Sequence, residues 1–141
     1  MTFFLPLTTG ATAVSTLGLL ALSIPVSVRR MTTGIKVGAG ADPSLENRIR
    51  AQANYVEYVP LFLIALGITE HSGAAPIAVS TAIGLMLAGR LLHALGMLTQ
   101  APMRPRAIGI VLTWAALIIL AGALILALMT ANDASPSSLL N

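Results

Sequence analysis

The sequence predicts an all-α integral membrane protein built as a bundle of four helices, and three observations carry that reading. Hydrophobic residues make up 56% of the 141 positions and charged residues 9%, far from the balance of a soluble globule. Apolar runs long enough for a helix to cross about 30 Å of hydrocarbon occur four times, each bounded by charges or turn residues. Backbone polar groups have no water to bond inside a bilayer, so such runs satisfy them internally as helices.

Composition also narrows the function classes. The net charge is +3, but eight Lys and Arg among so many apolar residues form no basic stripe, and aromatic stacking groups are few, which excludes nucleic acid as the expected partner. The chain has no cysteine, hence no disulfide framework, no thiolate nucleophile and no Cys-ligated metal. Any thiol chemistry must be brought by a ligand, and no metal site is expected.

The whole chain, 1–141, reads as one transmembrane domain. The first span covers residues 3–28; no cationic stretch precedes it and it is too long for a signal-peptide core, so it is expected to be retained. Residues 31–43, rich in Gly and polar side chains, read as a loop. The second span is 49–69. The third, 75–98, has Pro76 where a first helical turn accepts it, and the fourth is 108–130. Pro25 and Pro60 fall inside spans and are expected to kink or loosen them. Small residues at Gly84, Ala88, Ala115 and Gly122 are expected to let helices pack closely. After Thr130 the tail, with Asn132, Asp133, Ser135, Pro136, Ser137 and Ser138, is too polar to bury and is expected to be mobile.

Cations set the expected orientation. Arg29, Arg30, Lys36, Arg48 and Arg50 flank the first connection, Arg104 and Arg106 flank the third, and Arg90 lies near the end of the third span. The second connection, Glu70-His71-Ser72-Gly73, has none, so the positive-inside rule places loops one and three in the cytoplasm and both termini outside. A multi-pass membrane protein is the expected setting.

Polar residues concentrate at that cytoplasmic side. Arg50, Asn54 and Glu57 stand at i, i+4 and i+7, one helical face, and Glu57 lies about 10 Å deeper than Arg50 at about 1.5 Å per residue. Arg90 and His93, at i and i+3, share a face of the third span, which descends to the same depth from the other direction. Structural readings stand beside functional ones. Arg48, Arg104 and Arg106 suit anchors that snorkel to headgroups, and Arg50 and Arg90 suit either anchoring or function. Glu57 serves a ligand or neutralises Arg50 or Arg90; Asn54 serves a ligand or joins two helices. His93 reads as a ligand contact or a satisfied core side chain, Tyr55 and Tyr58 as aromatic-belt residues, and Glu70 and His71 as solvated turn residues. Gln52 has no assigned place. Several guanidiniums and one deep carboxylate suit an anionic ligand with one ammonium, and arginine beside a thiol favours its nucleophilic thiolate.

The run Arg50-Ala51-Gln52-x-Asn54-x-x-Glu57-Tyr58-x-Pro60-Leu61, with Arg29-Arg30, Arg90, His93 and Arg104 at their positions, resembles the membrane-associated proteins in eicosanoid and glutathione metabolism, the MAPEG family, and its small bacterial members in particular. The similarity extends over nearly the whole chain. It implies a homotrimer that holds glutathione between subunits at the cytoplasmic side, with Arg50, Asn54, Glu57, Arg90 and His93 as its contacts. It further implies that Arg104 or Arg30 faces the thiol, Arg104 being the better match to the activating arginine. Two positions depart from the pattern: Ala53 where some members have arginine, and Met97 where active members have tyrosine. The function this implies is a membrane-embedded, glutathione-dependent transferase or peroxidase acting on lipophilic electrophiles from the bilayer. The alternative is a non-catalytic protein of the same fold that binds glutathione or an anionic lipid. A transporter ranks last, because the outer halves of the spans offer little polarity.

Overall fold

The computed structural model describes residues 4–99 and 103–133. Within them the chain forms four α-helices, α1 Pro6–Thr33, α2 Pro43–His71, α3 Pro76–Leu98 and α4 Met103–Asp133, and no strand. All four are long and apolar enough to cross a membrane.

Each boundary has a local cause. Pro6, Pro43 and Pro76 all occupy the first turn of a helix, where a missing N–H removes nothing the helix would have used. Asp42 caps α2, its carboxylate accepting from the N–H groups of Ser44 and Leu45 at 3.0 and 3.2 Å. Gly34 closes α1 in the left-handed conformation, φ 72°, and donates its N–H to the Arg30 carbonyl. At 28 residues α1 spans about 42 Å, more than the hydrocarbon needs, so its ends project into the headgroup layers.

The helices depart from the sequence expectations at several points. Because α1 runs on to Thr33 and α2 starts at Pro43, the first connection is residues 34–42, shorter than expected. Both helices pass unbroken through Pro25 and Pro60. α4 extends over Asn132 and Asp133, which the sequence assigned to the tail; residues 134–141 lie outside the described residues. Polarity in the N-terminal half of α1 is folded into the helix itself, since Thr9, Thr12 and Thr16 each donate to the carbonyl four residues earlier.

α2 is central and touches all three other helices, whereas α1 barely meets α3. Phe62 and Leu66 of α2 form the core with Val79, Ala82 and Met86 of α3 and Ala116 and Leu120 of α4. Close approach between α3 and α4 depends on glycines other than those expected. A Cβ on Gly89 would stand 2.7 Å from the Gly109 carbonyl oxygen, and one on Gly109 would stand 2.6 Å from that of Gly89. Gly84 and Gly122 have open space where a Cβ would go, and Gly84, Ala88 and Gly122 are exposed in the single chain. Composition marks small residues but not the crossing point.

The second connection also differs from expectation. Glu70 is not a solvated turn residue: its carboxylate accepts from the N–H groups of Leu7 and Thr8 at 3.0 and 2.7 Å. It caps α1 from another helix, supplying the acceptor that Leu5 at the cap position cannot. His71, with its ring 5.3 Å from that of Phe4, is exposed at the end of α2, as expected of a solvated residue.

Candidate functional site

Arg90 organises the polar region. It is 3% exposed, and its guanidinium joins three helices. Nε and Nη2 donate to Thr113 Oγ1 of α4 at 3.1 and 2.5 Å, Nη2 also to the Gly109 carbonyl at 3.5 Å, and Nη1 to the Asn54 carbonyl of α2 at 3.3 Å and to Asn54 Oδ1. These bonds engage all five N–H groups of the side chain. Thr113 in turn donates to the Gly109 carbonyl at 2.8 Å, completing a closed set. The Tyr58 ring lies 5.1 Å beneath the guanidinium. Neutral acceptors and a π face therefore hold the cation, and no carboxylate is bonded to it among the described residues. Its positive charge is left to act on the surroundings.

Sequence reasoning brought Asn54 and Arg90 to one depth, and they meet by direct hydrogen bond. Arg50 and Glu57 share the face of Asn54 but lie exposed on the outside of the single chain. Arg50 approaches Glu46, at 3.9 Å, rather than Glu57, so the expected neutralisation of Arg50 by Glu57 is not what the helix does. Glu57 has no hydrogen bond or ion pair among the described residues. His93 is buried, one turn from Arg90, with its backbone against Gly109. Arg30 donates to the carbonyls of Ile35 and Gly38 at 3.3 and 2.9 Å, which clamps the first connection. Arg104 is exposed in the first turn of α4.

The tyrosines are not belt residues. Tyr55 is 7% exposed and donates to the Ser15 carbonyl at 3.0 Å, docking α2 against α1. Gly18 makes this approach geometrically possible, since a Cβ there would lie 2.5 Å from the Tyr55 hydroxyl. Gln52 finds a place as well, donating to Ser23 Oγ at 2.8 Å. Thr113 and Gly109 belong to the Arg90 set without having been singled out in the sequence, and Tyr58 had been read as a belt residue. A hydroxyl in the middle of the most hydrophobic span was the available signal for Thr113.

Where α1 and α3 stand apart, a groove of about 320 Å³ opens, walled by Val14, Leu22, Leu87 and Leu91, with Arg90 and Tyr55 in its lining. It joins a greasy, membrane-facing surface to the buried cation.

Comparison with known proteins agrees with this architecture. A family model described as the MAPEG family matches residues 8–126. The chain is 33% identical over 106 residues to the inner membrane protein YecN of Escherichia coli strain K12, covering 75% of this chain and 80% of the relative. A second relative, the protein of the same description in E. coli O6:H1, matches to the same extent.

Proposed function

We propose, proceeding from the fact that this chain belongs to the MAPEG family, that it is a glutathione-dependent transferase or peroxidase acting on lipophilic electrophiles. It is a multi-pass membrane protein, and in this reading it works as a homotrimer. One observation carries the proposal: α2 presents Arg50 and Glu57 outward at membrane depth, with Asn54 between them and the Arg90 charge buried behind. Ionisable groups in that position are expensive in lipid and call for a cover that meets them. A second subunit with a small zwitterion of several carboxylates provides one.

Arg50 then pairs with a glutathione carboxylate and Glu57 with its ammonium. Arg90 has no N–H left over, so it acts through Asn54, fixing that amide and lending its positive field; His93 completes the α3 wall. Arg104, or Arg30, faces the sulfur and stabilises the thiolate once the thiol proton has passed to water. In transfer, the thiolate forms a bond to an electrophilic carbon as the leaving group departs with the electron pair. In peroxide reduction, two glutathione thiols yield one disulfide while the hydroperoxide becomes an alcohol and water. The lipophilic partner enters along the groove beside Arg90.

Titration calorimetry of glutathione against the purified protein and Arg50→Ala tests this. Saturable binding that weakens about tenfold or more in the variant is expected, the loss of a charge-assisted pair. Absence of saturable binding to the wild type would remove the proposal. A second reading, binding without turnover, is favoured by the attachment of Arg30 to its own loop and by Ala53 and Met97. It predicts the same calorimetric curve but no thiolate absorbance and no conjugation of chlorodinitrobenzene.

A further inference from the structure

We infer that the cleft between the loop ends of α1 and α2 binds an anionic phospholipid, its phosphate at the rim and the start of an acyl chain along the wall. The cleft encloses about 470 Å³ between Ile24, Pro25, Val28, Arg29 and Thr32 of α1 and Arg48 of α2. It shares no residue with the glutathione site and stands whichever of the two readings above holds.

The arrangement is graded along the membrane normal. Ile24, Val28 and Thr32, at i, i+4 and i+8, form one stripe about 12 Å long. Its deep end is apolar and its loop end carries the two guanidiniums. Ile24 is 57% and Val28 47% exposed, so this wall is uncovered in the chain. At the rim, Arg29 bonds Asp42 through Nε at 2.7 Å and Arg48 bonds Ser44 through Nε at a weak 3.4 Å. Neither uses its Nη groups in a hydrogen bond among the described residues, so two planar forks remain for phosphate oxygens.

Charge selects the occupant. Two guanidiniums and the Asp42 carboxylate leave one net positive charge, which matches the single negative charge of a phosphodiester. A free phosphate would satisfy the rim and leave the apolar wall bare, whereas a phospholipid covers both.

Native mass spectrometry of the full chain in detergent, titrated with phosphatidylglycerol and phosphatidylcholine, tests the assignment. Preferential retention of phosphatidylglycerol is expected, with about a tenfold loss of affinity in Arg48→Gln and less than about threefold in Lys36→Gln, which removes one charge from the exposed loop. Equal retention of the two lipids, or equal losses in the two variants, would overturn it. Ile24→Ala leaves every charge in place and is expected to weaken phosphatidylglycerol by about fivefold, which keeps the test available should Arg48→Gln fail to fold; unchanged affinity there also overturns the proposal. Glycerol phosphate in hundredfold excess should not displace the lipid, and displacement would assign the rim to a soluble anion instead.

Discussion

Thr113 accepts two hydrogen bonds from a guanidinium that has no carboxylate bonded to it among the described residues, and the stability of the α2, α3 and α4 junction draws on that hydroxyl. Thr113→Val keeps the shape and deletes the acceptor, leaving a buried cation short of partners. The expected loss is about 1–3 kcal/mol, read as a lower Tm in detergent, with Thr113→Ser restoring most of it. Asp42 is a second junction, tying Arg29 of α1 to the start of α2. The hydrogen bond from Arg29 holds its carboxyl below the ordinary value; partial burial opposes the shift, and the N–H of Leu45 adds to it. A depressed folded-state pKa means the contribution is present above the ordinary carboxylate value of about 4 and is lost as pH falls below it. Amide protection in residues 34–42, measured against the intrinsic exchange rate at each pH, should therefore fall in that acid range, and Asp42→Asn should show the lower protection already at neutral pH.

Among the elements, α3 and α4 come into backbone contact at one crossing, beside the core side chains Met86 and Leu120. Gly89 and Gly109 bring carbonyls to where a methyl group would have to sit. Gly89→Ala must push the helices apart and is expected to destabilise by about 1–3 kcal/mol. Gly84→Ala meets nothing within 4 Å and is expected to be neutral or to stabilise the helix by about 0.5–1 kcal/mol. Paired thermal melts of the two variants check this, and equal behaviour would contradict the crossing described above. Glu70 acts at the same scale, since a helix whose own cap residue is Leu5 borrows its cap from the end of its antiparallel neighbour.

For the whole molecule, the distribution of cations sets how the chain sits in the bilayer. With no cysteine in the sequence, Lys36→Cys and Ser72→Cys each offer one clean labelling site on opposite faces. An impermeant maleimide should label Lys36→Cys only in inside-out vesicles and Ser72→Cys only in right-side-out ones; the reverse pattern would invert the topology. The outward α2 face with Arg50 and Glu57 likewise belongs to this scale, because Glu57 has no hydrogen bond or ion pair among the described residues.

Four apolar runs, with Pro76 at a first turn, are local features, so the number and type of the helices were readable from sequence alone, whereas α1 and α2 run on through charged residues that had been taken for the edges of a loop. The shared depth of Asn54 and Arg90 was readable too, since it follows from helical period and antiparallel order. Which partner each polar group takes was decided by tertiary packing. Arg90 bonds Thr113 and Asn54 rather than an acid, Tyr55 turns inward past Gly18, Glu70 caps a distant helix, and Gly89 rather than Gly84 marks the crossing. Periodicity assigns a side chain to a face of its own helix, whereas its partner depends on how neighbouring helices rotate and slide against that face, and in a span apolar on every side the sequence carries little record of either.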